Sequence, residues 1–385
     1  MAKFAIPTHV VFGTEALAEA GAYMKNFGNR ALVVTGPHIA KSPMVCELKK
    51  TLEEEEIAYM VFDGITGEPT EEMIRQGLDV YIKSNSRFVI GIGGGSPLDA
   101  AKAIALMSVQ EEGTEFAGFM GKPISCKVPK IVAIPTTSGT GSEATKFTVI
   151  TNTKTDVKML LAGDCLIPDL AVINYEYTMD MPKSVTASTG LDALTHAIES
   201  YTSKKASALT DVYAVSAVKR IMRNLPIVYK RGNNGAAREQ MALAAFEAGV
   251  CINNASVTLV HGMSRPIGAI FHVSHGTSNA MLLVECLSFA MEGAYERFAN
   301  LGRACGYAEE GDNDIVAAEK FVEAVKRVVE ICEIPTISEY GIDEEAFAKA
   351  IPKMAEDAIA SGSPENTRKP IAKEDCEKIY YKLIS

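Results

Sequence analysis

Tryptophan is absent from the chain, which by itself excludes no function; the other absences say more. The eight cysteines, at 46, 126, 165, 251, 286, 305, 332 and 376, include no C-x-x-C pair. Scattered thiols of this kind argue against a disulfide framework or a zinc ribbon and fit reduced cysteines in a cytoplasmic protein. No stretch approaches the roughly 18 apolar residues that a membrane span needs, and Met1-Ala2-Lys3-Phe4 opens no apolar signal region. No membrane partner is expected, and the cytoplasm is the expected compartment. Basic charge is in deficit: 38 lysines and arginines against 48 acidic residues leave a net charge of -10. An acidic surface repels phosphate backbones, so no nucleic-acid partner is expected. Long runs of like charge are also missing; the densest, the glutamates at 53–56, ends an amphipathic stretch and reads as a solvated helix face.

What is present suits two domains of ordinary size, since 385 residues are too many for one small core. The first half alternates short apolar runs with amphipathic stretches. Residues 30–36 (RALVVTG), 58–62, 87–92 (RFVIGI) and 130–135 (KIVAIP) read as strands. Helices are expected over 40–54, 70–84 and onward from 96, and a later strand pair at 146–151 and 157–162. Such alternation predicts a parallel, Rossmann-like sheet covered by helices on both faces. Past about residue 182 strand signals almost vanish, and helical periodicity runs through 184–201, 208–223, 236–253, 290–305, 317–332 and 344–360. The expected organisation is an α/β domain over 1–182 and an all-helical domain over 183–385.

Two polar turns follow predicted strands. Gly91-Ile92-Gly93-Gly94-Gly95-Ser96-Pro97-Leu98-Asp99 offers glycines for close backbone approach, Ser96 as N-cap, Pro97 as first helical residue and Asp99 to complete a capping-box-like pattern. A helix starting there aims free N–H groups at an anion. The spacing is not G-x-G-x-x-G, and a tight strand-to-helix turn without a ligand is an equal reading. Pro135-Thr136-Thr137-Ser138-Gly139-Thr140-Gly141-Ser142-Glu143 concentrates hydroxyls and N–H groups able to hold a ribose or phosphate, or merely to cap a loop. Two such turns in one α/β domain favour a nucleotide.

Histidine is scarce, with six residues at 9, 38, 196, 261, 272 and 275. Asp192 and His196, spaced i, i+4, share one helix face. His261 and His275 lie in a second segment, which spacing alone does not tie to the first. One carboxylate and three imidazoles suit a borderline divalent ion such as Fe²⁺ or Zn²⁺, while each histidine alone reads as an ordinary structural residue.

Four motifs taken together are specific: G-G-G-S-P-x-D-x-A-K at 93–102, T-T-x-G-T-x-S-E at 136–143, A-x-T-G-x-D-A-L-T-H-A-x-E at 187–199, and H-G-x-x-x-P-x-G followed by H-G at 261–276. With them the chain resembles the iron-containing (group III) alcohol dehydrogenases over essentially its whole length. The resemblance implies an N-terminal nucleotide-binding α/β domain and a C-terminal helical metal domain of the dehydroquinate synthase-like kind. It makes Asp192, His196, His261 and His275 the ligands of a catalytic Fe²⁺, with Zn²⁺ as the alternative. Gly94, Gly95 and Ser96 would face the cofactor's pyrophosphate; Thr136, Thr137, Thr140 and Lys158 would look toward its nicotinamide half. Asp99 and Gly36 complete the expected NAD or NADP contacts, and Lys158 without the family reads as a surface lysine. The implied reaction is hydride exchange between NAD(P) and a short primary alcohol, diol or aldehyde, with the metal as Lewis acid, in a homodimer or higher homo-oligomer.

Some positions depart from that pattern. NAD-preferring relatives often carry an aspartate where this chain has Gly36, and its loss makes NADP plausible. Where many members have a histidine four residues after the third ligand, here stands Arg265, which cannot relay protons. Arg265 is open to contacting phosphate, ribose or an anionic substrate, or to pairing with a carboxylate; His272 is open to a relay role or to lining a pocket. Glu68-Pro69 replaces a usual Asn-Pro pair, and Asn174-Tyr175 a usual Asp-Pro segment. The competing readings are a 4-hydroxybutyrate dehydrogenase or hydroxyacid–oxoacid transhydrogenase on the same scaffold, a zinc polyol dehydrogenase, and a non-catalytic nucleotide-binding protein.

Overall fold

Strands apolar on both faces need helices on both sides, and the first half of the chain supplies them in alternation. The computed structural model describes residues 3–153 and 157–384. These form two compact units: Ala5–Met179, and the residues from Asp180 onward joined by Lys3 and Phe4.

The first unit runs β1 (His9–Phe12), α1 (Ala16–Lys25), β2 (Arg30–Val34), α2 (Pro43–Glu54), β3 (Ala58–Phe62), α3 (Glu71–Lys83), β4 (Phe88–Gly93), α4 (Gly95–Met107), β5 (Lys130–Pro135), β6 (Phe147–Asn152), β7 (Val157–Ala162) and β8 (Leu170–Ile173). Six of these strands make one sheet in the order β1-β8-β5-β4-β2-β3, every pair parallel. The strands β4 and β8 are buried throughout, and the longer of them, β4, reads as an apolar run for that reason. Strand order reverses between β2 and β4, and the crevice at the carboxyl ends of such a switch point is where α/β sheets bind ligands. The later strand pair is an antiparallel hairpin, β6 with β7, in a separate sheet. Neither β1 nor β8 stands out in the sequence: each has only four residues, and β1 is a partly exposed edge.

The second unit is helical: α5 (Lys183–Thr202), α6 (Ala208–Lys230), α7 (Gly235–Asn254), α8 (Leu259–Phe271), α9 (His275–Ala290), α10 (Tyr295–Ala304), α11 (Asp314–Ile331), α12 (Glu344–Ala360) and α13 (Lys373–Tyr381). The single helix expected over 290–305 is instead the end of α9 and the whole of α10, broken around Gly293, where a Cβ would meet the Lys369 nitrogen at 2.4 Å. At the centre lies α5, buried at every residue from Gly190 to Thr202. A helix buried all round is normally apolar all round. This one carries Asp192, His196 and Glu199 into the core, and buried polar groups of that kind must find partners. No single described helix is long and apolar enough to cross a membrane, and all eight cysteines are free thiols.

Candidate metal centre and nucleotide-binding turns

Three helices of the second unit converge on the partners that α5 needs. Asp192 and His196 stand one turn apart on α5, His261 lies in the first turn of α8, and His275 opens α9. One ligand-type atom from each lies within 4.8 Å of all the others. The Nε2 atoms of His196, His261 and His275 stand 3.8, 3.6 and 3.7 Å from the same Asp192 Oδ1. Bonds of about 2.0–2.2 Å to one central cation leave separations of this order between its ligands. The approach of α9 to α5 depends on Gly276, whose Cβ would come 2.6 Å from the Ser188 carbonyl oxygen.

The electrostatics of the cluster ask for a cation. Asp192 is 2% exposed, and no lysine or arginine among the described residues pairs with it. Burial pushes its carboxyl up, but the three imidazoles outweigh burial and hold it well below the usual carboxylate range. Burial likewise pulls His261 down, yet Glu199 and Asp192 win and raise it to about 9. At His275 burial wins, aided by the other two imidazoles and Arg265, and lowers it to about 3. Three imidazoles around one carboxylate do not all hold protons, so lone pairs remain pointed at a common centre. An N/O donor set of this charge suits a borderline divalent ion.

Two further residues complete the site, and sequence reading assigned no role to either. Glu199, one turn beyond His196 on α5, accepts bonds from Thr258 Oγ1 at 2.8 Å and the Val260 N–H at 2.6 Å through Oε1. Its Oε2 accepts from His261 Nδ1 at 2.6 Å. When a cation takes the place of the Nε2 proton, the bond to Glu199 keeps the remaining proton on Nδ1 and leaves the Nε2 lone pair facing the cluster, the carboxylate–histidine arrangement common behind metal ligands. Glu199 also places negative charge at the N-terminus of α8. Its i+7 spacing from Asp192 was the available signal. Asn279, one turn after His275 on α9, donates its amide to Asp192 Oδ1 at 2.7 Å, with both His261 and His275 Nε2 at 3.2 Å. The Oδ1 of that amide is buried beside the cluster and accepts no hydrogen bond. Only the fold reveals it.

In the first unit the two polar turns meet. A Cβ on Gly94 would touch Thr137, and one on Gly95 would press on Thr140 at 2.9 Å, so the glycines leave the threonines room against the start of α4. The Thr136 N–H donates to the Gly93 carbonyl at 2.8 Å. Ser96 is not the N-cap: α4 starts earlier, with Gly94 in that position. Gly93 makes the early start possible, because it adopts φ +148 and a Cβ there would lie 2.7 Å from Pro97. The N–H groups of Gly94, Gly95 and Ser96, which precede the first intrahelical bond, thus open beside Thr137 and Thr140.

The remaining expected positions are placed as follows. Asp99 spends both carboxylate oxygens inside its unit, on the Ser142 hydroxyl and on the Val149 N–H at 2.9 Å. Lys158 on β7 forms an ion pair with Glu68 at 2.7 Å. Gly36 follows β2 at the switch point, where a Cβ would lie 2.8 Å from the Ile65 carbonyl oxygen. His272 is the exposed, left-handed C-cap of α8. Arg265, four residues after His261, donates to Ser363 Oγ at 3.0 Å.

Comparison with known proteins gives one answer at both levels. The model of iron-containing alcohol dehydrogenase matches residues 7–175, and that of the Fe-containing alcohol dehydrogenase family, C-terminal, matches residues 186–384. The chain is 35% identical to a 1,3-propanediol dehydrogenase of Citrobacter freundii, over 98% of this chain and 97% of that protein. It is 32% identical to an NADPH-dependent butanol dehydrogenase of Clostridium saccharobutylicum, over 99% of this chain and 97% of that one. The crystal structure of a 1,3-propanediol oxidoreductase superposes with a TM-score of 0.95 at 31% identity, covering 100% of both chains.

Proposed function

The chain belongs to the iron-containing alcohol dehydrogenase family, and from that premise we propose that it interconverts short primary alcohols or diols and their aldehydes, with a ferrous ion held by Asp192, His196, His261 and His275. The observation that carries this reading is the convergence of four ligand atoms from three helices within 4.8 Å of one another. The substrate class follows relatives named for 1,3-propanediol and for butanol. A divalent cation there supplies Lewis acidity at the alcohol oxygen, and a nicotinamide supplies the hydride acceptor.

The chain's own residues do the rest. Asp192 contributes the one formal negative charge of the donor set, and Glu199 keeps the His261 proton on Nδ1. Asn279 orients Asp192 through its amide. His275 is 44% exposed while the other three side chains are 6% exposed or less, so substrate approaches from the His275 side. In the α/β unit, the free N–H groups at the start of α4 hold the cofactor's pyrophosphate, with Thr137 and Thr140 alongside.

NADP serves this enzyme at least as well as NAD. An acid at the end of β2 would bind the adenosine 2′-hydroxyl and repel a 2′-phosphate; Gly36 supplies none, and the Ile65 carbonyl leaves no room for one. The test is to strip the metal without oxygen, restore Fe²⁺ or Zn²⁺, and follow NADPH and NADH oxidation with a panel of short aldehydes. Activity that returns with Fe²⁺ and is at least as great with NADPH supports both readings. No activity with any metal or cofactor overturns the first, and a kcat/KM ratio strongly favouring NADH overturns the second.

A further inference from the structure

Resting on the reading of the four-ligand cluster as the metal centre of an alcohol dehydrogenase, we propose that Arg265 is the binding residue for a carboxylate carried by the substrate, and that the preferred substrates are short aldehydes bearing an acid group at the far end.

Four observations carry this. Arg265 follows His261 by one helical turn on α8, so both side chains rise from one face, and helical side chains lean toward the N-terminus, here back over His261. The guanidinium acts electrostatically on His275 and feels Glu199, which places it beside the cluster. Its charge is unneutralised: its single hydrogen bond is to Ser363, and among the described residues no carboxylate lies within ion-pair distance. Four other arginines of the same unit are matched, Arg297 with Asp211, Arg303 with Asp314, Arg220 with Glu247 and Arg327 with Glu323, whereas Arg238, also without a carboxylate, is buried away from solvent on the Gly232 carbonyl and the Thr186 hydroxyl. Finally, Arg265 is solvent-accessible, and so is His275 alone among the four candidate ligands. The free cation therefore stands on the side from which substrate enters.

An arginine presents five N–H donors in a planar fork matched to a carboxylate, and Ser363 takes one of them. Side chains four residues apart on a helix are neighbours, with Cβ atoms about 5–6 Å apart. A four-carbon semialdehyde has the reach to place its aldehyde oxygen at the cluster and its carboxylate on Arg265. A neutral aldehyde of equal length leaves the fork facing water.

The experiment compares succinic semialdehyde with butyraldehyde in the Fe²⁺-loaded enzyme and its Arg265→Gln and Arg265→Lys variants, together with calorimetric binding of succinate, which is not reduced. Wild type is expected to favour succinic semialdehyde in kcat/KM and to bind succinate. Arg265→Gln should cut the succinic semialdehyde to butyraldehyde ratio by about 10–100-fold and weaken succinate binding by a similar factor, the range of a lost charge-assisted hydrogen bond. Arg265→Lys, which keeps the charge without the fork, should fall between. An unchanged ratio, or a loss confined to the KM for NADPH, overturns the proposal, the latter giving Arg265 to the cofactor. If wild type reduces no aldehyde, the dehydrogenase reading fails by itself. Calorimetry then still decides the anion site: succinate binding lost in Arg265→Gln upholds it, and no binding by wild type overturns it.

Discussion

Replacing Glu199 with glutamine should cripple metal binding while leaving all four candidate ligands in place. The carboxylate accepts three hydrogen bonds and donates none: Thr258 Oγ1 and the Val260 N–H on one oxygen, His261 Nδ1 on the other. Glutamine keeps the shape but turns one oxygen into an NH2 group. If the amide oxygen stays on Val260 and Thr258, the NH2 faces His261 Nδ1, which must then accept. The imidazole proton moves to Nε2, the atom 3.6 Å from Asp192 Oδ1 that is needed as a donor. If the amide flips, the NH2 meets the Val260 N–H head-on. Either arrangement leaves a buried polar group wrongly paired, at a cost of about 1–3 kcal/mol. Loss of such a supporting partner typically weakens metal affinity by about 10–100-fold. Glu199→Ala should be worse, destabilising by about 3–5 kcal/mol as the surviving partner of a broken buried pair. Competition with a chromophoric chelator under anaerobic conditions measures the affinity, and thermal unfolding of the metal-free proteins separates it from stability. Fe²⁺ affinity of Glu199→Gln within about threefold of wild type would refute the tautomer argument, since glutamine cannot satisfy all three donors.

Asn279→Ala removes the amide from Asp192 and should lower Fe²⁺ affinity by about 10-fold or more; the same chelator titration checks it, and no change would make Asn279 a packing residue. Gly93→Ala forces a side chain into φ +148 and 2.7 Å from Pro97. It should destabilise by about 1–3 kcal/mol and weaken NADPH binding, read by thermal unfolding and by NADPH fluorescence. Glu143 is buried beside Lys102, and burial pushes its carboxyl from 4.5 up to about 7. Between those values the unfolded chain loses its proton first, so the folded chain binds more protons and stability falls as pH rises, levelling off above about pH 7. That span is worth about 3 kcal/mol at most. Glu143→Gln should flatten that part of the fall in denaturant titrations at pH 5, 6, 7 and 8, and an unaltered slope would count against it.

Much of this was legible in the sequence, for local reasons. The strands at 87–92 and 130–135 showed themselves because they are buried, apolar and rich in β-branched residues, and α11 because its apolar face repeats at helical spacing without a break. By contrast α8 was hidden. Its Gly262, Pro266 and Gly268 read as breakers, yet packing in the helical core holds the segment helical around its internal proline. The position of Ser96 inside α4 was hidden as well, because Gly93 lets the helix begin two residues before the better-looking cap.

By itself the sequence determined which residues repeat at helical or strand period, and with them the Asp192–His196 pair on one face of α5. Such patterns belong to near neighbours along the chain, and burial selects them position by position. Only the tertiary structure decided that His261 and His275 reach the same Asp192 oxygen, and that Glu199 sets the His261 tautomer across 62 residues. It also decided that Lys158 spends its charge on Glu68 while Arg265 keeps its own. Those outcomes depend on distances between residues far apart in sequence, which arise when helices pack and which no local period encodes.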